Sequence, residues 1–342
     1  MRRLGLVALA VVLAASTDCR RHEESFASPL SKSEVQAISS AKTAAEIFDV
    51  PREVQLETKA ECAVAEISDL GLDANGNFII ADGWQLRQVF VFASDGRFVK
   101  ILGRLGQGPG EYSTPVSVAV NSEGEILIAD YQRNQIIVFD RDYQFQRSLP
   151  GKPRIQYFVH VNARDEIYTY SGTVSPRRHE VFNSVHKLDK DGAEVLSFAP
   201  VPQAALDMNF SAVNDGMTID EDDFVYEMNP LHYQVRKFSA GGKLIGSFTN
   251  PHYHNERREG EPPTILNGPH YLERGLIVVQ RGNVIDIFDT LGNFLTGDIP
   301  FSLKIITARR NTLYCVQWDE TVPQKTQPNP KVICFELRSF AR

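Results

Sequence analysis

Cysteine is scarce in this chain: there are four in 342 residues, at positions 19, 62, 315 and 334, and no two stand in a Cys-x-x-Cys spacing. That removes a thioredoxin-like redox motif and a zinc ribbon. No His-Glu-x-x-His, Gly-x-Ser-x-Gly or calcium-loop pattern occurs, so zincin, serine-hydrolase and EF-hand chemistry have no support. Basic clusters are missing too. A formal net charge of −7 argues against a nucleic-acid partner, whose phosphates draw a basic face. The longest apolar run, Leu4–Ala15, is too short for a membrane-spanning helix. Glycine-rich Gly103–Gly110 leads into Pro115 and a β-branched stretch rather than a helix, so it reads as a connection and not a phosphate cradle. The run His252–Pro263 holds histidines and charges, but its Pro and Gly residues mark a solvated loop.

What is present begins with a leader. Arg2 and Arg3 precede the apolar run, and the small residues Ala14, Ala15 and Ser16 stand at its end, which is the pattern of a secretory signal peptide over residues 1–18. Cys19 comes directly after, where a bacterial lipoprotein carries its lipid, although Asp18 replaces the small residue such a site prefers. The expected location is exported, in the periplasm or outer envelope, with Cys19 as the candidate anchor. Residues 19–50 are serine-rich and polar and read as a tether, with a short helix expected within Ser33–Ile47.

The remainder repeats itself. Gly106–Asp140 reads GQGPGEYSTPVSVAVNSEGEILIADYQRNQIIVFD: a loop, an alternating strand, an Asn-Ser-Glu-Gly turn, a second strand, a polar corner and a third strand. Asp73 and Asp82 stand 48 residues before Asn121 and Asp130. Asn162 opens a further copy in Val159–Tyr170, and Asp220 another in Asp215–Glu227. The fifth runs from Ile265 to Asp289 and the sixth from Ser302 to Leu337. Six units of about 45 residues match the period of propeller blades. An open ring of sheets would leave two edges, so Val54–Cys62 is the expected closing strand, beside Val332–Leu337.

The blade 2 stretch resembles an NHL repeat, and the chain resembles bacterial six-bladed β-propeller proteins built from such repeats. The resemblance implies an all-β fold over residues 51–342, a six-bladed propeller with NHL-like repeats closed by an N-terminal strand. The innermost strands then begin near Ser68, Val116, Tyr157, Asp215, Asn267 and Leu303, and their first residues are expected to line the channel. Asp215-Gly216-Met217-Thr218-Ile219-Asp220 is similar to a metal-binding segment of gluconolactonase-type propellers, and Asn267-Gly268 to the asparagine–glycine pair of the same family. That family's first-blade carboxylate is replaced here by Ser68. Amidating-lyase propellers use zinc-binding histidines near the same strand starts, but His160 is offset from that position and His270 does not match.

The repeat is intact while the catalytic sets are incomplete. The expected function is therefore a non-catalytic exported scaffold that binds a protein or glycan partner over one face, with Ser68, Tyr157, Asp215 and Asn267 as channel candidates and no cofactor. Corner aromatics such as Trp84 and Tyr131 are candidate anchors. The alternative is a metal-dependent lactonase-like hydrolase centred on Asp215 and Asn267, holding a divalent ion such as calcium or zinc. A structural envelope protein without a soluble ligand is the third class. Cys315 and Cys334 occupy the repeat positions of Ile128 and Val138, which predicts that they face each other and pair in a disulfide.

Overall fold

Alternating β-branched and small residues make each repeat a run of short strands, and Asx-type turns end them. In blade 2, the Asn121 side chain accepts from the Glu125 amide at 2.7 Å, and the chain turns through Gly124 at φ +82°. Blades 3 and 4 place Asp165 and Asp223 in the same left-handed position, at φ +60° and +62°. Aspartate tolerates that conformation better than most residues with a side chain. The structure is a computed structural model. It describes residues 29–150, 158–171, 183–202, 213–214, 216–229, 232–253, 266–319 and 328–340.

Six sheets of four antiparallel strands form among the described residues. Five run in chain order from the inside outward, the sixth takes its outer strand from the N-terminal side of the chain, and Val213–Asn214 adds a short parallel pairing to blade 5. Blade 2 consists of Pro115–Val120, Ile126–Asp130, Gln135–Phe139 and Phe145–Pro150. The repeat read from sequence had three strands; the structure adds a fourth, outer one. Its burial explains why it went unseen. Leu244–Phe248 in blade 4 is exposed along nearly its whole length, so selection for an alternating pattern is weak there. The innermost strands of neighbouring blades touch around a central channel. The fold is a six-bladed β-propeller.

Closure uses both termini. β1 (Arg52–Gln55) pairs antiparallel with Lys331–Glu336 and sets Val54 opposite Val332, completing blade 6 and removing two open edges. The closing strand is shorter and earlier than Val54–Cys62. Beyond it the chain leaves the sheet, and Ala60–Cys62 forms a 3-10 turn.

Apolar clusters fill the six seams between blades. The seam between blades 5 and 6 contains a surprise for the tether reading. α1 (Lys32–Ser40) and α2 (Ala44–Ile47) carry Ser31 and Thr43 capping boxes and bury Ile38, Ile47 and Phe48 in that seam. Residues 29–49 are thus a packed strap rather than a solvated tether. Serines on the outward side of a short amphipathic helix had disguised it.

The expected disulfide does not form: Cys62, Cys315 and Cys334 are all free. Cys315 lies opposite Ile333, and Cys334 opposite Tyr314. A one-residue offset turns a side chain to the other face of a sheet. Cys315 therefore packs in the seam with blade 5 and Cys334 in the seam with blade 1. Burial raises both thiol pKa values.

Candidate functional site

Every innermost strand starts at one end of the channel, and every corner between second and third strands lies at that same end. Two aspartates fix the corners of blades 1 and 2. Asp82 is fully buried and accepts at Oδ2 from the amides of Ala65 and Glu66, 2.8 and 3.0 Å away. Its Oδ1 accepts from Leu86 at 2.9 Å. Asp130, one repeat on, accepts from Ser113 and Thr114 at 2.8 and 2.9 Å. Each carboxylate thus ties the segment entering its blade to the corner leaving it.

The corner of blade 1 also sits tightly against blade 2. A Cβ on Gly83 would fall 2.7 Å from the Pro115 carbonyl oxygen and 2.9 Å from the Val116 Cα, so only glycine fits. Trp84, next in the chain, reaches Tyr131 in the corner of blade 2, with ring centroids 5.5 Å apart and planes tilted by 59°. They remain 45% and 39% exposed, and Leu86 beside them 38%. Large aromatics are mostly buried, and Tyr and Trp are enriched where proteins bind. The two corner aromatics named from sequence thus form one platform.

The channel candidates divide. Ser68 accepts from the Gly83 amide at 2.9 Å and so braces the Trp84 corner. Asn267 is buried; its side-chain amide donates to Gln280 Oε1 at 3.1 Å and to the Ile305 carbonyl at 2.5 Å, joining blades 5 and 6. Val116 is buried, and Leu303 packs against the seam between blades 5 and 6. Tyr157, Asp215 and Cys19 lie outside the described residues. The segment Val213–Asn214 pairs alongside blade 5, with Asn214 beside Asn267. Among the described residues, no group of three or more His, Cys, Asp or Glu is placed to hold a metal ion, and no helix is long and apolar enough to cross a membrane.

Two rim residues carry no role in the sequence reading. Lys304, the first residue of the innermost strand of blade 6, keeps part of its side chain open to solvent although protein crowds around its ammonium, and it interacts electrostatically with Glu66 and Asp69. Burial holds its ammonium below the ordinary lysine pKa, opposed by those two carboxylates. Burial and the nearby Asp82 raise Glu66, opposed by Lys304. Asp69 is buried and used inside the wall: it accepts from Ser117 Oγ at 2.6 Å and the Val118 amide at 2.8 Å. Ser117 in turn accepts from the Val159 amide at 3.1 Å, so one chain of bonds links blades 1, 2 and 3. The signal for Lys304 was a lysine opening the otherwise apolar stretch Ile305-Ile306.

The family model described as Domain of unknown function (DUF4934) matches residues 33–248. No curated protein matches the sequence. Among solved structures, an inferred exported protein from Bacteroides fragilis aligns with a TM-score of 0.65 at 11% identity, covering 88% of this chain and 98% of that one. A gluconolactonase from Xanthomonas campestris gives 0.54 at 15% identity, covering 85% and 91%. A virginiamycin B lyase from Staphylococcus aureus gives 0.53 at 12% identity, covering 82% and 83%. At these identities the likeness is one of fold, and a propeller fold carries many unrelated activities.

Proposed function

The chain belongs to the family described as Domain of unknown function (DUF4934), and we propose that it is an exported propeller scaffold that binds a protein or glycan partner over the face carrying Trp84 and Tyr131. The observation that carries this reading is the aromatic pair itself, half exposed on two corners that Asp82 and Asp130 hold rigid. Anchors already held in place lose little freedom on binding, so more of their contact energy appears as affinity. Reading the repeats as NHL-type belongs to the same proposal.

Export rests on the leader at residues 1–18, and the Bacteroides fragilis neighbour bears the same description. The strap adds an orientation. Pro29 packs against Gly275 in a turn at the opposite end of the channel, so a chain held through Cys19 would hang from that end. The aromatic face would then point away from the anchor.

Purified mature protein is the material for the test, incubated with extract of the native envelope, alongside a Trp84→Ala/Tyr131→Ala variant. Truncating a central aromatic anchor costs about 2 kcal/mol or more, roughly a 30-fold loss of affinity. The partner retained by the wild type should therefore be lost by the variant while its melting temperature stays close to wild type. Equal retention by both proteins would reject this face as the binding surface.

A further inference from the structure

Beside the aromatic platform lies a polar rim whose charges are unusually placed. Lys304 keeps part of its side chain open to solvent, and no hydrogen bond or ion pair engages its ammonium among the described residues; Glu66 and Asp69 act on it only through space. The Glu66 carboxyl is likewise held by electrostatics alone, from Asp82 and Lys304. The rim is continuous with the platform. Asp82 binds the Glu66 amide on one side and the Leu86 amide of the Trp84 corner on the other, and Ser68 holds Gly83 between them.

This arrangement restricts what can cover it. An anion at Lys304 meets Glu66 and Asp69, which outnumber the lysine. A cation at Glu66 meets the ammonium. A flat apolar protein surface would bury both groups without partners, which is costly for charges. What satisfies all of them is a neutral molecule with closely spaced hydroxyls, each able to accept from the ammonium and donate to the carboxyl. The same molecule needs an apolar face, since the negative face of an aromatic ring attracts weakly positive C–H groups. A pyranose ring has both.

We propose that this face takes a neutral saccharide, one sugar ring lying on Trp84 and Tyr131 while hydroxyls reach Lys304 and Glu66 at the channel rim. The proposal rests on the binding-face reading and names its ligand class. The downward direction at Lys304 and the upward direction at Glu66, each caused chiefly by burial, fit a ligand that brings no charge of its own.

The test uses mature protein on an array of neutral oligosaccharides built from glucose, galactose, mannose and N-acetylglucosamine, with uronic-acid oligosaccharides as the charged comparison. At least one neutral oligosaccharide should bind. Lys304→Met should weaken that binding at least tenfold without lowering the melting temperature, Lys304→Arg should restore part of it, and Trp84→Ala/Tyr131→Ala should abolish it. Binding confined to the uronic-acid probes, or indifferent to Lys304→Met, would overturn the saccharide proposal. If no oligosaccharide binds while the aromatic variant still loses a protein partner from envelope extract, the saccharide fails and the binding face stands. If oligosaccharide binding survives the aromatic variant, the binding face fails as well.

Discussion

Blades 2 and 4 put different chemistry at the same register position. In blade 2, Ile128 and Ile137 lie opposite each other in an apolar seam shared with blade 1. The polar intrusion there is the Tyr112 hydroxyl, which donates to the Leu102 carbonyl at 2.9 Å and accepts from the Val89 amide at 3.1 Å. Burial pushes its pKa up to about 12. In blade 4 the corresponding pair is Glu227 and Arg236. Glu227 is fully buried and receives Nε and Nη2 of Arg236 at 2.7 and 2.8 Å. Arg236 Nη1 donates to the Pro200 carbonyl of blade 3 at 2.9 Å, and Ser184 Oγ lies 2.8 Å from Glu227. An apolar seam needs only volume and is tolerant of substitution. A buried ion pair needs its partners in place, because desolvation offsets much of the attraction.

Breaking that pair should give the largest effect. Arg236→Met leaves a buried carboxylate uncompensated and should cost about 3–5 kcal/mol, read by urea denaturation. The double variant Glu227→Ile/Arg236→Ile, which copies blade 2, should recover most of the loss. If the double variant is as unstable as the single, the two seams are not interchangeable and the comparison breaks. A smaller effect is expected on the apolar side, where Ile128→Val removes one methylene and should cost about 0.5–1.5 kcal/mol by the same measurement. A cost like that of Arg236→Met would mean the apolar seam is as exacting as the polar one.

The smallest effect concerns pH, on the other side of blade 4. Lys237 is buried over the Phe224 ring, 4.1 Å from its centroid, and donates to the Thr290 carbonyl of blade 5 at 2.8 Å. Burial lowers its pKa from 10.5, opposed by Asp220, Asp222 and Asp289. A base with a lowered folded pKa binds its proton less well folded than unfolded. Its contribution is therefore fully present above 10.5 and is lost as pH falls through the folded value. Wild-type stability should rise across that window relative to Lys237→Met, as melting curves at stepped pH would register. Parallel pH profiles would show that Lys237 titrates as it does in the unfolded chain.

The propeller was legible because its signal is local. Asx turns recur in blades 1 to 5, and the 48-residue offset between Asp82 and Asp130 marked two residues that perform one structural task. Legibility failed where pattern and burial part. An outer strand such as Leu244–Phe248, exposed nearly throughout, has no alternation to read, and the strap helices hid Ile38 and Ile47 among serines. Cys334 does hold the place of Val138, but Val138 pairs with Leu127 and not with Ile128, so the two thiols lie on opposite faces of the sheet. Asn267 was chosen by resemblance as a ligand, yet its amide joins blades 5 and 6 through Ile305.

By itself, the sequence determined the six repeats, their turns and the use of an N-terminal strand for closure, since strand period and turn chemistry depend on residues within one hairpin. Only the tertiary structure decided what meets across seams and around the channel. Trp84 touches Tyr131 because successive corners stack at one face. Glu227 finds Arg236 by strand pairing, and Ser184 and the Pro200 carbonyl by the packing of blade 3 on blade 4. Lys304 faces Glu66 because closure through β1 brings blade 6 beside blade 1. Contacts so far apart in the chain leave no periodic trace; their geometry exists only once the ring is shut.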